Sequence, residues 1–236
     1  MIDVDKEKIV RTVFNQGWLK GLNHDEVTRL VSVSELQQYS DGDSIYQAGD
    51  SIDSIYFVID GLVRMSIVDE QHDNFPVTIW EAGNCFGEGA LQQPSTMPLT
   101  ATSMSNTTLL AIPLSHIDTA LDNSATFYKN VLSDVAERTQ LLYKIIEILL
   151  FDTLKARVAA RVLHLTKLFG EPVGDGILLP IEFNQADFAK MSGGSRQRVN
   201  KIFKDWSDQG ILSKRDKLYT LHQPSILAAE LKFSQF

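Results

Sequence analysis

The chain of 236 residues is poor in cysteine and has no long apolar run. Its one cysteine, Cys85, excludes an internal disulfide framework and any site built only from the cysteines of one chain. The nearest membrane candidate, residues 145–151, is interrupted by Glu147 and is far shorter than the roughly 20 residues that a membrane helix needs. The first residues lack the basic start and apolar stretch of an export signal. We therefore expect a soluble cytoplasmic protein with no membrane partner.

Positive charge is also scarce, because the formal net charge is −8. The deficit is confined to residues 1–151, which contain 9 Lys and Arg against 21 Asp and Glu, a net charge of −12. Residues 152–236 contain 13 against 9, a net charge of +4. Since a polyanion attracts the basic part and repels the acidic part, only the C-terminal part is expected to meet nucleic acid.

Residues 185–206 predict two short helices separated by a glycine turn. Asn184 and Ser195 are typical N-cap residues, since their side-chain oxygens accept bonds from backbone N–H groups that have no partner in the helix. Gly193 and Gly194 allow a tight turn between the helices. The apolar residues of the second helix recur at three and four positions, so one stripe faces a core. This stripe consists of Val199, Ile202, Phe203 and Trp206.

The opposite side of this second helix is polar and basic. Its outward residues are Arg196, Gln197, Asn200, Lys201 and Lys204, with Ser195 and Arg198 in the first turn. Such side chains can reach base edges and phosphates from the major groove of DNA. An ordinary charged surface helix is the alternative. Two capped helices with this turn and this segregation of charge favour DNA binding.

The first half of the chain changes its hydrophobic period. Residues 1–40 have a helical pattern, whereas from about 40 to 113 the period falls to two, with Gly, Asp, Asn and Pro between short apolar runs. Strands this short and this regularly spaced predict an all-β sandwich or roll. The clearest strand candidates are residues 45–46, 55–59, 62–68, 77–80 and 107–112.

A long helix is predicted over residues 125–151. It has apolar residues at alternating spacings of four and three, which is a heptad seam. The seam consists of Tyr128, Leu132, Val135, Thr139, Leu142, Ile146 and Leu149. A helix packed only on its own domain is the alternative. A second line along Val131, Arg138, Leu141, Ile145 and Ile148 leaves apolar surface on two sides, which favours a homodimer.

The remaining elements complete a winged helix. They are a helix over 153–169 capped by Asp152, a Gly/Pro loop over 170–176, a hairpin over 211–221 turning at Arg215 and Asp216, and a closing helix over 224–231. Gly210 is expected to end the second helix of the pair. The predicted fold is α+β, with a β-roll domain over 1–124, a dimerisation helix over 125–151 and a winged helix-turn-helix over 152–236.

Several segments carry a resemblance to a known family. They are YQAGD at 46–50, IYFVIDGLVR at 55–64, FGE at 86–88, RVA at 157–159 and the Ser195-Arg196 start of the second helix. In this order they resemble the CRP/FNR superfamily of bacterial transcription factors, named after the cyclic-AMP receptor protein and the fumarate-and-nitrate regulator. The resemblance covers almost the whole chain. It implies a cyclic-nucleotide-binding-like β-roll sensor, a dimerisation helix and a DNA-binding winged helix, whose two recognition helices move when a signal binds.

The chain departs from the cyclic-nucleotide-binding members at the phosphate site. Those members contact the ribose with a Gly and a Glu, which Gly87 and Glu88 match, and hold the cyclic phosphate with an Arg-Ser or Arg-Thr pair. Pro98 and Leu99 fall where that pair is expected. Without the guanidinium, the contact that makes phosphate binding strong is missing. Glu88 is therefore expected to keep a structural role and bond the backbone amides of its turn.

The chain also departs from cyclic-AMP receptors at the residues that would contact the adenine. Cyclic-AMP receptors use a Thr-Ser pair on the long helix, and Leu142 and Tyr143 stand there in this chain. We expect a regulator that does not use cyclic AMP. Its sensor pocket either holds an apolar or neutral effector or is filled by side chains. A cyclic nucleotide bound in an altered pose is the alternative.

Other sensors and cofactors are less well supported. The iron–sulfur branch is excluded, because no cysteine precedes Cys85, which we interpret as a small buried apolar residue. A haem-dependent sensor stays an alternative, because five histidines are available as ligands. None of them has a recognisable ligand spacing: they are His24, His72, His116, His164 and His222. His72 is expected to be solvated in a turn over 70–74. No metal site or cofactor is predicted.

The resemblance implies how the second helix would read DNA. Arg196 stands where the family places an Arg on guanine, Gln197 suits adenine, and Lys201 keeps a charge but loses the fork of a frequent Arg. Phosphate contacts are expected from Arg198, Lys204, Lys214 and Arg215. The expected partners are a palindromic duplex, a second copy of the chain and, through the 170–176 loop, RNA polymerase.

Two other functions are disfavoured for the chain as a whole. An enzyme is disfavoured, because the sequence has no phosphate loop and no nucleophile motif, and the adjacent Ser115 and His116 have no supporting third residue. An interaction module that has lost DNA binding is disfavoured by the basic face of the second helix.

Overall fold

The computed structural model describes residues 4–68, 74–92, 96–121 and 124–231. These residues form two compact units, Met1–Thr139 and Gln140–Phe236. A continuous helix, α4 (Ala125–Phe151), runs through the boundary between them and has the predicted bounds. Within the described residues, no helix is both long enough and apolar enough to cross a bilayer.

The first unit opens with two helices, α1 (Val4–Val13) and α2 (His24–Val33), joined by a single 3-10 turn at Gly17–Leu19. Asn23 caps α2, because its side chain accepts a bond from the Glu26 N–H at 2.9 Å and Glu26 returns one to the Asn23 N–H at 2.8 Å. The helical prediction up to residue 40 is wrong at its end. Residues 35–39 form a strand instead, because their backbone pairs with a strand late in the unit.

Among the residues that the structure describes, eight strands form the predicted roll. They are β1 (Glu35–Tyr39), β2 (Ser44–Tyr46), β3 (Ser54–Asp60), β4 (Leu62–Val68), β5 (Asn74–Glu81), β6 (Cys85–Phe86), β7 (Thr100–Ser103) and β8 (Thr107–Pro113). Two antiparallel sheets result, in the orders β1-β8-β3-β6 and β2-β7-β4-β5. The tight β3–β4 connection needs Gly61, whose φ is +92° and whose added Cβ would lie 2.7 Å from the Asn106 carbonyl oxygen. The α+β fold class with an N-terminal β-roll is confirmed.

The first unit has two apolar cores. One lies between the two sheets of the roll. The other lies between the roll and the helices, where a further helix, α3 (Leu114–Leu121), follows β8 directly. The start of α4 packs into this second core through Phe127 and Val131, and the Phe127 ring meets Trp18 edge-on at 6.4 Å. The roll thereby fixes the first turns of the long helix.

The second unit contains four helices after the end of α4, among the residues that the structure describes. They are α5 (Leu154–Phe169), α6 (Gln185–Met191), α7 (Arg196–Asp208) and α8 (Pro224–Ala229). Asp152 was predicted to cap α5, and this prediction is wrong. The cap is Thr153, whose hydroxyl accepts a bond from the Ala156 N–H at 3.2 Å, while the Asp152 N–H still bonds the Ile148 carbonyl of α4.

A four-stranded sheet completes the second unit and contacts α5 and α7. Its strands are β9 (Glu171–Val173), β10 (Gly176–Leu179), β11 (Leu212–Arg215) and β12 (Leu218–Leu221), in the order β11-β12-β10-β9. The predicted loop over 170–176 is therefore mostly a hairpin, because β10 pairs with β12 and β9 follows on its other side. The wing turn is also displaced by one residue from the prediction. Arg215 pairs with Leu218, and Asp216 and Lys217 form the turn with positive φ angles.

Candidate nucleic-acid interface and the interior of the roll

The helix pair is held by the predicted caps. The Asn184 side chain accepts bonds from the N–H groups of Ala186 at 2.8 Å and Asp187 at 3.0 Å, and Asp187 accepts one in return from the Asn184 N–H at 2.7 Å. Ser195 accepts a bond from the Arg198 N–H at 3.4 Å at the start of α7. Both predicted caps are confirmed, so each helix begins at a residue that the sequence specifies.

The turn between the two helices requires its glycines. Gly193 has φ +59°, which is the left-handed region. At Gly194, an added Cβ would lie 2.4 Å from a terminal carbon of Leu154, which is buried at the start of α5. The turn therefore packs too closely on α5 for any larger residue to fit without displacing it.

The inner face of α7 is anchored in an aromatic core. Val199, Phe203 and Trp206 are buried, and Ile202 is half-buried. The Phe203 ring lies 5.0 Å from Phe188 and 5.2 Å from Tyr219, measured between ring centroids. Gly210, with φ +66°, follows the end of α7 as predicted. This packing fixes which side of α7 faces away from the unit.

The outward side chains of α7 are uncommitted. Arg196, Gln197, Lys201 and Lys204 are exposed, and none of them has a hydrogen bond or ion pair within the described parts of the chain. Arg198 is exposed as well. Asn200 differs from the prediction of an outward position. It is half-buried, and its Oδ1 is shielded from solvent with no hydrogen-bond partner among the described residues, because it lies at the edge of the buried stripe.

The wing supplies further basic side chains. Lys214 lies over the Tyr219 ring at 4.7 Å, and Lys217 pairs with Glu182 at 3.1 Å. Arg215 is 94% exposed, and its one ion-pair contact within the described ranges is with its neighbour Asp216 at 3.6 Å. Arg215 is thus the most available cation of the wing, whereas the ammonium groups of Lys214 and Lys217 already have partners.

The interior of the roll is filled with aromatic rings. Tyr56 stacks on Phe86 at 5.1 Å, and Tyr46 lies 6.1 Å from each of them. Burial raises the pKa of Tyr56 to about 12, so its hydroxyl is neutral. Of the predicted pocket residues, Gly87 is buried, Leu99 packs against the rings and Pro98 is exposed. Leu142 and Tyr143 belong to the second unit, where both are exposed.

Glu88 does not have the expected role. Its carboxylate pairs with the Arg138 guanidinium of α4 at 2.8 Å, not with backbone amides of its turn. Arg138 also pairs with Asp134 at 2.6 Å, donates to the Cys85 carbonyl and lies over the Trp80 ring at 4.2 Å. Glu88 forms this ion pair because α4 places the Arg138 guanidinium, only 15% exposed, beside the turn that contains Glu88. An arginine within an apolar line of the long helix was the signal in the sequence.

Removing this cation should destabilise the first unit. We expect Arg138→Met to lower the free energy of unfolding by about 2–4 kcal/mol, since the Glu88 and Asp134 carboxylates lose their cation in a partly buried place. Urea unfolding followed by circular dichroism measures this. Arg11→Met is the control, because the exposed Arg11–Glu7 pair should contribute about 0.5 kcal/mol or less. Equal effects of the two substitutions would contradict the assignment.

The remaining candidates of the sequence do not assemble into a site. Cys85 is buried, and burial raises the pKa of its thiol to about 12, which disfavours the thiolate. No group of three metal-ligating side chains occurs among the residues that the structure describes. His72 lies outside those residues. Ser115 and His116 are exposed at the β8–α3 junction.

Comparisons with known proteins find a matching domain family in each of the two units. Residues 36–124 match the cyclic nucleotide-binding domain, and residues 156–230 match the Crp-like helix-turn-helix domain. A global nitrogen regulator of Nostoc is 24% identical, over 79% of this chain and 85% of that protein. A CRP-like cAMP-activated global transcriptional regulator of Mycobacterium tuberculosis is 21% identical, over 90% and 95%.

Solved structures agree on the fold. A CRP/FNR-family regulator from Thermus thermophilus superimposes with a TM-score of 0.71 at 22% identity, covering 85% of this chain and all of that chain, 100%. FixK2 from Bradyrhizobium japonicum gives a TM-score of 0.73 at 17% identity, covering 86% and 100%. The class is thus a β-roll domain of the cyclic-nucleotide-binding type joined to a helix-turn-helix domain. The chain belongs to the CRP/FNR superfamily, whose matched relatives are transcription regulators.

Proposed function

We propose that the protein is a homodimeric, sequence-specific DNA-binding transcription regulator of the cytoplasm. The observation that carries the proposal is the outer face of α7, where four polar side chains stand exposed and uncommitted while the inner face is anchored. The functional division is a sensor domain over 1–124, a dimerisation helix over 125–151 and a DNA-binding domain over 152–236. The acidic first part would be repelled by the phosphate backbone and held away from it.

The proposed reading of DNA assigns a role to each residue of this face. Arg196 donates two bonds to O6 and N7 of guanine, and Gln197 pairs with N6 and N7 of adenine. Lys201 supplies a charge without the planar fork of arginine. Ser195, Asn200, Arg198 and Lys204 position the helix, and Lys214 and Arg215 of the wing approach phosphates.

The second copy is proposed to bind along α4. Large apolar side chains of this helix are exposed: Leu132 70%, Tyr143 68%, Leu150 69%, with Leu142 and Ile146 about half exposed. Val135, Thr139 and Leu149 of the predicted seam are half-buried at its margin. Such a contiguous apolar stripe is costly in water, and a heptad seam fits an identical helix. A palindromic DNA site would match the two-fold symmetry of the dimer.

The sensor is proposed to respond to something other than cyclic AMP. No arginine lies between Arg64 and Arg138, Glu88 is already paired, and Tyr46, Tyr56 and Phe86 occupy the interior of the roll. Any effector would have to fit among apolar rings or displace them. Recruitment of RNA polymerase, if this regulator is an activator, would involve the hairpin over 170–176.

The alternative is a cyclic nucleotide bound in an altered pose, and the names of cAMP-activated relatives favour it. Calorimetry with cyclic AMP and cyclic GMP separates the two proposals. We expect no heat of binding at ligand concentrations up to about 1 mM, which corresponds to a binding free energy weaker than about −4 kcal/mol. A saturable signal in the micromolar range would favour the alternative.

Selection of bound duplexes from a random pool tests DNA reading directly. We expect a two-fold symmetric site with a guanine opposite Arg196 and half-sites that differ from those of the cyclic-AMP receptor, because Gln197 and Lys201 replace other side chains. Recovery of the cyclic-AMP receptor consensus would contradict the proposed half-site. Recovery of no sequence preference would contradict the regulator function.

A further inference from the structure

Arg157 connects the end of α4 to the turn before α7. In a dimeric regulator these two segments must keep a fixed position relative to each other. Arg157 lies in the first turn of α5 and reaches back to the end of α4, where Nη1 donates to the Leu149 carbonyl at 3.2 Å and approaches the Asp152 carbonyl at 3.5 Å. Its Nη2 donates to the Gly193 carbonyl at 3.3 Å, in the turn before α7. One guanidinium thus joins the end of the long helix to the turn of the helix pair.

These carbonyls need such a donor. The last four carbonyl groups of a helix have no partner within it, and Leu149 is among the last four residues of α4. The Gly193 carbonyl lies two residues past the end of α6, in the turn before α7. A cation at a helix C-terminus also interacts favourably with the helix dipole. Arg157 therefore stabilises the end of α4 and ties it to the turn before α7.

Neighbouring contacts hold the same junction. The turn glycines lie directly on apolar side chains, with an added Cβ of Gly193 3.6 Å from Leu149 and that of Gly194 2.4 Å from Leu154. One turn further along α5, Arg161 Nε donates to the Met191 carbonyl at 3.1 Å. Burial lowers the pKa of Arg161 to about 10, so it remains a cation at neutral pH. The turn before α7 is thus fixed on the α4–α5 junction at several points.

We propose that Arg157 is a positioning residue that sets the half-site spacing of the DNA site. This inference rests on the proposed function. In a dimer joined along α4, the direction of α7 relative to the last turns of α4 decides how far apart the two α7 helices lie. The planar fork of arginine can bond carbonyls of two segments in a fixed geometry, whereas the point charge of lysine cannot hold both in this way.

The variant Arg157→Lys tests the proposal, because it keeps the charge and removes the fork. Arg157→Gln removes both, and Lys167→Gln, on the exposed side of α5, is the matched control. Hydrogen exchange of the DNA-free protein comes first. We expect Arg157→Lys to speed amide exchange in residues 149–153 and 191–196 by about tenfold, the loss expected for one charged hydrogen bond, with no change in β10 and β12.

Binding to a series of duplexes then measures the consequence. The duplexes carry the same two half-sites with their centres moved by one or two base pairs in either direction. We expect the wild type and Lys167→Gln to prefer one spacing, and Arg157→Lys to lose most of this preference, with affinity for a single half-site unchanged. Equal loss on all duplexes, the single half-site included, would indicate a merely structural role and overturn the proposal.

An unchanged spacing preference of Arg157→Lys would also overturn it, whatever the exchange result. The proposed function fails separately, if the wild type binds no duplex of the series. The spacing role falls with it in that case, and the exchange result still decides whether Arg157 holds the two segments together.

Discussion

Replacing Arg196 and Lys201 together by methionine is expected to weaken binding to the selected DNA site by about a hundredfold or more, since each base contact contributes about 1–3 kcal/mol of discrimination. Both side chains are exposed and uncommitted on α7, so their loss should change stability by only about 0.5 kcal/mol or less. Fluorescence anisotropy with the selected site and a scrambled site measures the effect. The ratio of the two affinities should fall toward one.

Lys204→Met on the same helix is the matched control. Its ammonium is proposed to contact phosphate, so its loss should weaken binding to both duplexes alike and lower the slope of log affinity against log salt by about 1. If the double variant retained the wild-type preference between the two duplexes, α7 would not be the reading element, and the regulator function would have to be abandoned.

Placing glutamates at Leu142 and Ile146 is expected to convert the dimer into a monomer at micromolar concentration. Each apolar side chain loses about 1.5–3 kcal/mol of burial, and two-fold symmetry makes every loss occur twice, so the dimer dissociation constant should rise by about a thousandfold or more. The paired charges would add repulsion across the seam. Sedimentation equilibrium measures the association, and binding to the palindromic site should weaken in parallel.

Gln140→Glu is the control for this second prediction. It adds a charge at an exposed position of the same helix, two residues before Leu142 and outside the predicted heptad seam. Its dimer should match that of the wild type. A double variant that still dimerised with the wild-type constant would show that α4 is not the contact between copies, and the exposed stripe would then need another occupant.

The bounds of α4 and the helix pair α6 and α7 were predictable from local signals, and the reasons are visible in the residues. The bounds of α4 follow from an unbroken apolar period, and Asn184, Ser195 and Gly210 mark helix ends through bonds to their own backbone neighbours. Such bonds are local, so the sequence around them is sufficient. The strands with long apolar runs, β3 and β4, were found for the same reason.

Misplaced elements depend on distant partners. Residues 35–39 have little apolar alternation, and their strand exists because β8 lies beside them. The hairpin of β9 and β10 likewise forms against β12, some forty residues later in the chain. At the site, the outward face of α7 could be read from periodicity, whereas the Glu88–Arg138 pair could not, because the two residues are 50 positions apart.

The intrinsic fluorescence of the three tryptophans can report on both units of the chain. Trp18 and Trp80 lie 5.7 and 4.2 Å from the Arg138 guanidinium, measured to their ring centroids, and Trp206 is fully buried on the inner face of α7. The fluorescence of Trp18 and Trp80 responds to changes around the Glu88–Arg138 ion pair. The fluorescence of Trp206 responds to changes in how α7 packs on the rest of its unit. Comparing the tryptophan fluorescence of the wild type with that of Trp206→Phe separates the two signals. The comparison would show, without any added label, which of the two units a compound perturbs.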